Sequence, residues 1–196
     1  MQTVQAQGVH HITLVGANRQ SSIDFWEGVL GMPFVFEQPN LDDPEQSHLY
    51  FDPGDGRLIT IFTAEDRTPD RRPTPTEPGC VHHIAFNISR ANWLSAKARL
   101  EARGISVTAR DRGFMDSLYF RDPLGLTIEL ASYKFEPPFG RSHTEVLHKA
   151  HLIRVEQGDQ AIETEHVALA IDRMGAERDL SLSTDRTPKN PFKSKG

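Results

Sequence analysis

The sequence predicts an α+β protein built as two βαβββ modules that shape a cup, with a C-terminal helical extension. Two recurrences carry this reading. Val9-His10-His11-Ile12 returns as Val81-His82-His83-Ile84, and Leu49-Tyr50-Phe51-Asp52-Pro53 returns as Leu118-Tyr119-Phe120-Arg121-Asp122-Pro123. Each Asp-Pro turn is followed by glycine and an apolar strand, and each copy carries a middle helix that stops at a glycine. Self-similarity in the same order along a chain marks a duplicated structural unit.

In the first copy, residues 8–63, Val9 to Val15 is apolar-rich and stops at Gly16, as a strand does. Ser21 to Leu30 has Ile23, Trp26, Val29 and Leu30 at helical spacing, with Gly31 as its stop. Pro33 to Glu37, Ser47 to Asp52 and Leu58 to Phe62 read as three strands. The second copy, residues 80–133, repeats the order. Val81 to Ile88 is a strand. Ala91 to Arg103 is a helix with Trp93, Ala96 and Leu100 on one face, ended by Gly104. Ile105 to Arg110, Ser117 to Phe120 and Leu126 to Leu130 are strands. Between the copies, residues 64–79 are rich in Pro, Thr and charge and read as an extended linker.

The extension, residues 134–175, opens on Glu136-Pro137-Pro138-Phe139-Gly140, a stiff loop. Helical spacing follows in Ser142 to Gln157, through Val146, Leu147, Ala150 and Ile153, and again in Glu163 to Met174. His143, His148, His151 and His166 in this region read as solvated helix residues rather than a second metal site. Residues 176–196 are polar and read as a disordered tail.

Composition narrows the function classes. The 196 residues carry a net charge of -5, which gives no global basic field for nucleic acid. The single cysteine, Cys80, excludes an internal disulfide. No apolar run approaches the roughly 18 residues of a membrane span. The expected location is the cytoplasm, with no nucleic acid or membrane partner.

The chemistry concentrates on the repeated strands. Alternate strand residues share a face, so His11 lies with Thr13, His83 with Ala85, and Glu129 with Thr127. Glu129 interrupts an otherwise apolar strand, and a buried carboxylate needs a partner. Two neutral imidazoles and one carboxylate around a metal are one solution, with open coordination positions left over. An arginine partner for Glu129 and structural roles for the histidines are the others. Phe62 is read as the first-copy counterpart of Glu129, which leaves three protein ligands rather than four.

These motifs resemble the vicinal oxygen chelate superfamily of glyoxalases, bleomycin-resistance proteins, fosfomycin-modifying enzymes and extradiol dioxygenases. The resemblance spans about Gly8 to Tyr133 and is strongest in the two His-His segments and in Tyr119 to Glu129. It implies paired βαβββ modules as a metal-binding cup, with His11, His83 and Glu129 as the metal ligands. A narrower likeness, to ring-cleaving dioxygenases of hydroquinones, implies that His10, Thr13, His82, Arg112 and Tyr119 surround that metal. The resemblance thus implies a divalent metal, Fe(II) or Mn(II) first and Zn or Ni after them. The implied function is a ring-cleaving dioxygenase acting on a small, aromatic substrate, as a homodimer. A glyoxalase-type metal-dependent lyase or isomerase, and a metal-free binding protein of the resistance type, are the alternatives.

Overall fold

The computed structural model describes residues 2–177, so most of the expected tail lies outside the described residues. The chain divides into two compact units, Met1–Tyr133 and Lys134–Gly196. In the first unit the elements run β1 (His11–Val15), α1 (Arg19–Trp26), β2 (Phe34–Pro39), β3 (Ser47–Phe51), β4 (Leu58–Thr63), β5 (His83–Asn87), α2 (Arg90–Glu101), β6 (Thr108–Asp111), β7 (Met115–Arg121) and β8 (Thr127–Tyr133). The two sheets have the same topology, β1-β4-β3-β2 and β5-β8-β7-β6. In each, the first strand lies parallel to the last and the other pairs are antiparallel. The α+β reading and the duplication hold at the level of hydrogen-bonded strand order.

The elements start and stop for local reasons. Asn18 caps α1 by accepting the Ser21 amide through its side chain, which starts the helix before Ser21. After Trp26 the chain tightens, with the Val29 and Leu30 amides both donating to the Phe25 carbonyl, until Gly31 turns at φ 71°. Val9 and Val81 stay exposed ahead of their strands, because the parallel ladders begin at His11 opposite Leu58 and at His83 opposite Thr127. Ile105 and Val107 are partly buried against the core, but the strand starts only at Thr108, where pairing with Tyr119 begins.

One core serves both modules. Phe25, Trp26, Leu49, Phe51, Ile59 and Ile61 join Ile84, Leu100, Phe120 and Ile128 in a single buried cluster. The α1 aromatics bridge the halves: Trp26 meets Phe86 edge-on at 6.2 Å between ring centroids, and Phe25 lies 6.4 Å from Phe120. Burying each such side chain contributes about 1.5–3 kcal/mol, so this aromatic seam is a principal joint between the copies. Trp93 was expected on the inner face of α2. It is half-buried instead, beneath the Arg90 guanidinium at 4.8 Å, while Ala96 and Leu100 are buried.

The linker is pinned rather than loose. Arg67 Nη1 donates to the Gly16 carbonyl, and the Thr74 amide donates to the Gly125 carbonyl. Gly125 has φ 82°, and a Cβ there would collide with the Arg72 carbonyl oxygen. Backbone therefore passes over backbone at a point where only glycine fits.

The second unit contains α3 (His143–Gln157) and α4 (Thr164–Ala176). A full capping box, Ser142 with Glu145, starts α3, and Gly158 closes it in the left-handed region at φ 81°. Val146, Ala150 and Ile153 of α3 and Val167, Ala170 and Met174 of α4 are buried. Among the described residues no helix is long and apolar enough to cross a membrane.

Candidate functional site

Register decides which side chains can meet. In the second sheet Ala85 stands opposite Glu129, and Glu129 stands opposite Tyr119. Strand alternation puts His83, Glu129 and Tyr119 on one face, while Ile84, Ile128 and Phe120 enter the core from the other. In the first sheet the same alternation groups His11, Thr13, Thr60, Phe62, His48 and Tyr50 on the face opposite the core.

His83 and Glu129 come together. His83 Nε2 lies 2.9 Å from Glu129 Oε2, with the carboxylate side chain almost fully buried. The other carboxylate oxygen, Oε1, is buried without a hydrogen-bond partner. Such an atom costs about 1–3 kcal/mol unless something binds it. The opposite ring nitrogen of His83, Nδ1, lies 2.7 Å from Nδ1 of His82. The Tyr119 ring meets His83 edge-on at 5.9 Å, and Arg112 Nη2 donates to the Tyr119 hydroxyl at 3.3 Å. That bond raises the Arg112 pKa above its ordinary value, and the Glu129 carboxylate adds to the effect from farther away. Four of the expected residues, His82, His83, Arg112 and Tyr119, therefore cluster around Glu129.

His11 does not join them within one chain. Both modules turn their histidine-bearing faces away from the shared core, so His11 and Glu129 occupy separate faces. Among the described residues no group of three His, Cys, Asp or Glu side chains is gathered tightly enough to hold a metal ion. His11 keeps its own surroundings. Its Nδ1 lies 2.8 Å from His10 Nδ1. Thr13 accepts a 2.8 Å hydrogen bond from the Thr60 hydroxyl.

The register also corrects the counterpart of Glu129. It is Thr60, not Phe62: Thr60 stands opposite both Thr13 and Tyr50, as Glu129 stands opposite Ala85 and Tyr119. Aligning the apolar strands by their Thr-Ile pairs slipped the comparison by two residues, which preserves the face and hides the error. The spacing of ten residues from Tyr50 to Thr60, equal to that from Tyr119 to Glu129, is the signal that gives the right match.

Sequence reasoning missed His48. Its Nδ1 lies 2.8 Å from the Tyr50 hydroxyl, and its Nε2 is buried and unpartnered. Burial, and then the nearby His11, hold its pKa below the usual histidine value. In the extension, His166 is buried rather than solvated. The Glu163 amide donates to its Nδ1, and its Nε2 lies 2.8 Å from Asp159 Oδ2. It is a helix-start residue, while His148 and His151 are exposed.

The profile of the Glyoxalase/Bleomycin resistance protein/Dioxygenase superfamily matches residues 8–130. The chain belongs to this superfamily. Among its relatives in the superfamily is MhqO of Bacillus subtilis (strain 168), named as a candidate ring-cleaving dioxygenase, at 28% identity over 185 residues. That match covers 90% of this chain and 58% of MhqO, so the chain spans little more than half of that relative's length. The glutathione transferase FosA of Serratia marcescens is 26% identical over 124 residues, covering 63% of this chain and 79% of FosA. A crystal structure of a candidate dioxygenase from Bacillus subtilis superposes with a TM-score of 0.54 at 28% identity, covering 66% of this chain and 42% of that one.

Proposed function

We propose that this protein is a metal-dependent superfamily enzyme that cleaves the ring of a small aromatic substrate with O2. The observation that carries the reading is the buried pair of His83 Nε2 and Glu129 Oε2 at 2.9 Å, with Glu129 Oε1 left without a partner. Two donors that each lie about 2.1 Å from one ion at right angles sit about 3 Å apart, so the pair fits neighbouring positions on a divalent metal. The orphan oxygen fits the same purpose. The likeness to MhqO over most of this chain supports the dioxygenase reading.

In this reading His11, His83 and Glu129 are the ligands, and His11 comes from a second copy. A homodimer that sets the first sheet of one protomer against the second sheet of its partner completes each site. His11, His83 and Glu129 would hold a divalent ion, Fe(II) or Mn(II) by our reading, which would supply Lewis acidity toward the oxygens of the reactants. The chain's own groups then do the rest. Tyr119, anchored by Arg112, points its hydroxyl where it can hydrogen-bond a phenolic oxygen. His82 fixes the ring of His83 through Nδ1, and His10 does the same for His11. Thr13, tied to Thr60, fills the space beside His11. We assign the enzyme to the cytoplasm.

A second reading rests on FosA, most of whose length this chain matches. There the same residues would serve a group transfer or isomerisation that consumes no O2.

One experiment separates these. Protein purified without oxygen or chelators is analysed for metals, beside Glu129→Ala, and O2 uptake is then followed with catechols and hydroquinones. Metal lost in Glu129→Ala together with substrate-dependent O2 uptake supports the dioxygenase. Turnover that persists without oxygen supports the second reading. Mixing His11→Ala with Glu129→Ala tests the dimer, since mixed pairs regain one intact site and the separate variants have none.

A further inference from the structure

A cleft of about 740 Å3 lies at the β6–β7 side of the first unit. That volume falls within the range of about 300–1,000 Å3 typical of small-molecule sites. Its walls carry Arg71 from the linker, Arg103 from the turn after α2, and Arg121 from the end of β7. Hydroxyl side chains accompany them at Ser106, Thr108 and Thr127.

Among the described residues, the three arginines of this cleft form no ion pair. Elsewhere Arg19, Arg72, Arg90, Arg141 and Arg173 each pair with a carboxylate. Among the described residues, Arg71, Arg103 and Arg121 have no carboxylate within ion-pair distance, and Arg121 donates only to the Gly125 carbonyl. The two acids on the walls form no ion pair with these arginines. Asp24 accepts from Gln20, and Asp122 accepts the Leu124 and Leu126 amides. Three guanidinium groups from three separate segments thus line one cleft and can donate to an anion. Arginine is also the residue whose planar fork matches phosphoryl and carboxylate oxygens.

We propose that this cleft is an oxyanion-binding site, held by Arg71, Arg103 and Arg121, for the phosphoryl or carboxylate group of a small molecule. None of the three arginines belongs to the His83–Glu129 cluster, although Tyr119 of that cluster also lines the cleft.

The test is calorimetric titration of the full chain with inorganic pyrophosphate and, separately, with phthalate, at constant ionic strength. Saturable binding of either probe is expected at millimolar concentration or below, and the probe that binds identifies the oxyanion. Arg71→Gln/Arg103→Gln should weaken it by about tenfold or more, as expected for loss of charge-assisted bonds. Arg99→Gln, which changes an exposed arginine outside the cleft, should leave it unchanged, and circular dichroism checks that each variant folds. The proposal is overturned if neither probe saturates, if the double variant binds as well as the parent, or if Arg99→Gln weakens binding equally.

Discussion

His83 Nε2 and Glu129 Oε2 meet at 2.9 Å over a carboxylate whose second oxygen has no partner. A buried carboxylate oxygen without a partner carries a desolvation cost. Replacing Glu129 by methionine removes the unsatisfied acceptor at similar volume. In chelator-treated protein Glu129→Met should match or exceed the parent in stability, by up to about 2 kcal/mol. Adding Fe(II) or Mn(II) without oxygen should raise the melting temperature of the parent alone. Thermal melts with and without metal check both signs.

Tyr119 holds Arg112 by a single 3.3 Å bond at a half-exposed position. Tyr119→Phe should therefore change stability by no more than about 0.5 kcal/mol. If the hydroxyl positions or protonates substrate, the same change should lower kcat by about a hundredfold while metal content stays at the parent level. Steady-state kinetics beside elemental analysis separates these effects.

Gly125→Ala should destabilise the protein more than Gly54→Ala. Both glycines have positive φ, but a Cβ at 54 meets open space, whereas at 125 it would strike the Arg72 backbone. Gly54→Ala should cost about 1–2 kcal/mol for the left-handed backbone. Gly125→Ala adds displacement of the linker to that cost. Urea unfolding of both variants gives the ranking.

Asp122 supplies a pH signature. Burial pushes its carboxyl above the ordinary value, against the pull of the Leu124 and Leu126 amides. An acid whose pKa is raised in the folded state binds more protons folded than unfolded. Its contribution is therefore fullest below the ordinary aspartate value and is lost as pH rises through the folded value. Asp122→Asn should flatten this part of the pH–stability profile, so that the melting temperature of the variant gains on the parent as pH rises from about 3 to 7. A profile with the same slope in both proteins would exclude Asp122 as its source.

Much of this architecture was legible in the sequence, because the signals were local. His-His pairs, Asp-Pro turns and stopping glycines mark element ends, and alternation sorts each strand into faces. Alternation grouped His83 with Ala85 and Glu129 with Thr127, each within its own strand, and only the observed register sets His83, Glu129 and Tyr119 on one face. Alternation does not tell which faces of two sheets meet, since that depends on the aromatic seam of Phe25, Trp26, Phe86 and Phe120. Hence the separation of His11 from Glu129 within one chain was not readable. His48 carried no signal of its own, sitting in a strand without a second histidine beside it. The two-residue slip at Thr60 and the burial of His166 have the same origin: a strand or helix pattern fixes direction, while neighbours fix contact.

The Thr13–Thr60 hydrogen bond, at the register where the second module carries Ala85 and Glu129, has a consequence for tolerance to mutation. Two hydroxyl groups satisfy each other there and ask nothing of a third party. At this register the first copy closes on itself, while the second leaves Glu129 Oε1 without a partner. Equivalent places in a duplicated scaffold thus carry different demands. A substitution at Thr60 strands one hydroxyl of a pair, whereas one at Glu129 also relieves a buried oxygen that nothing meets.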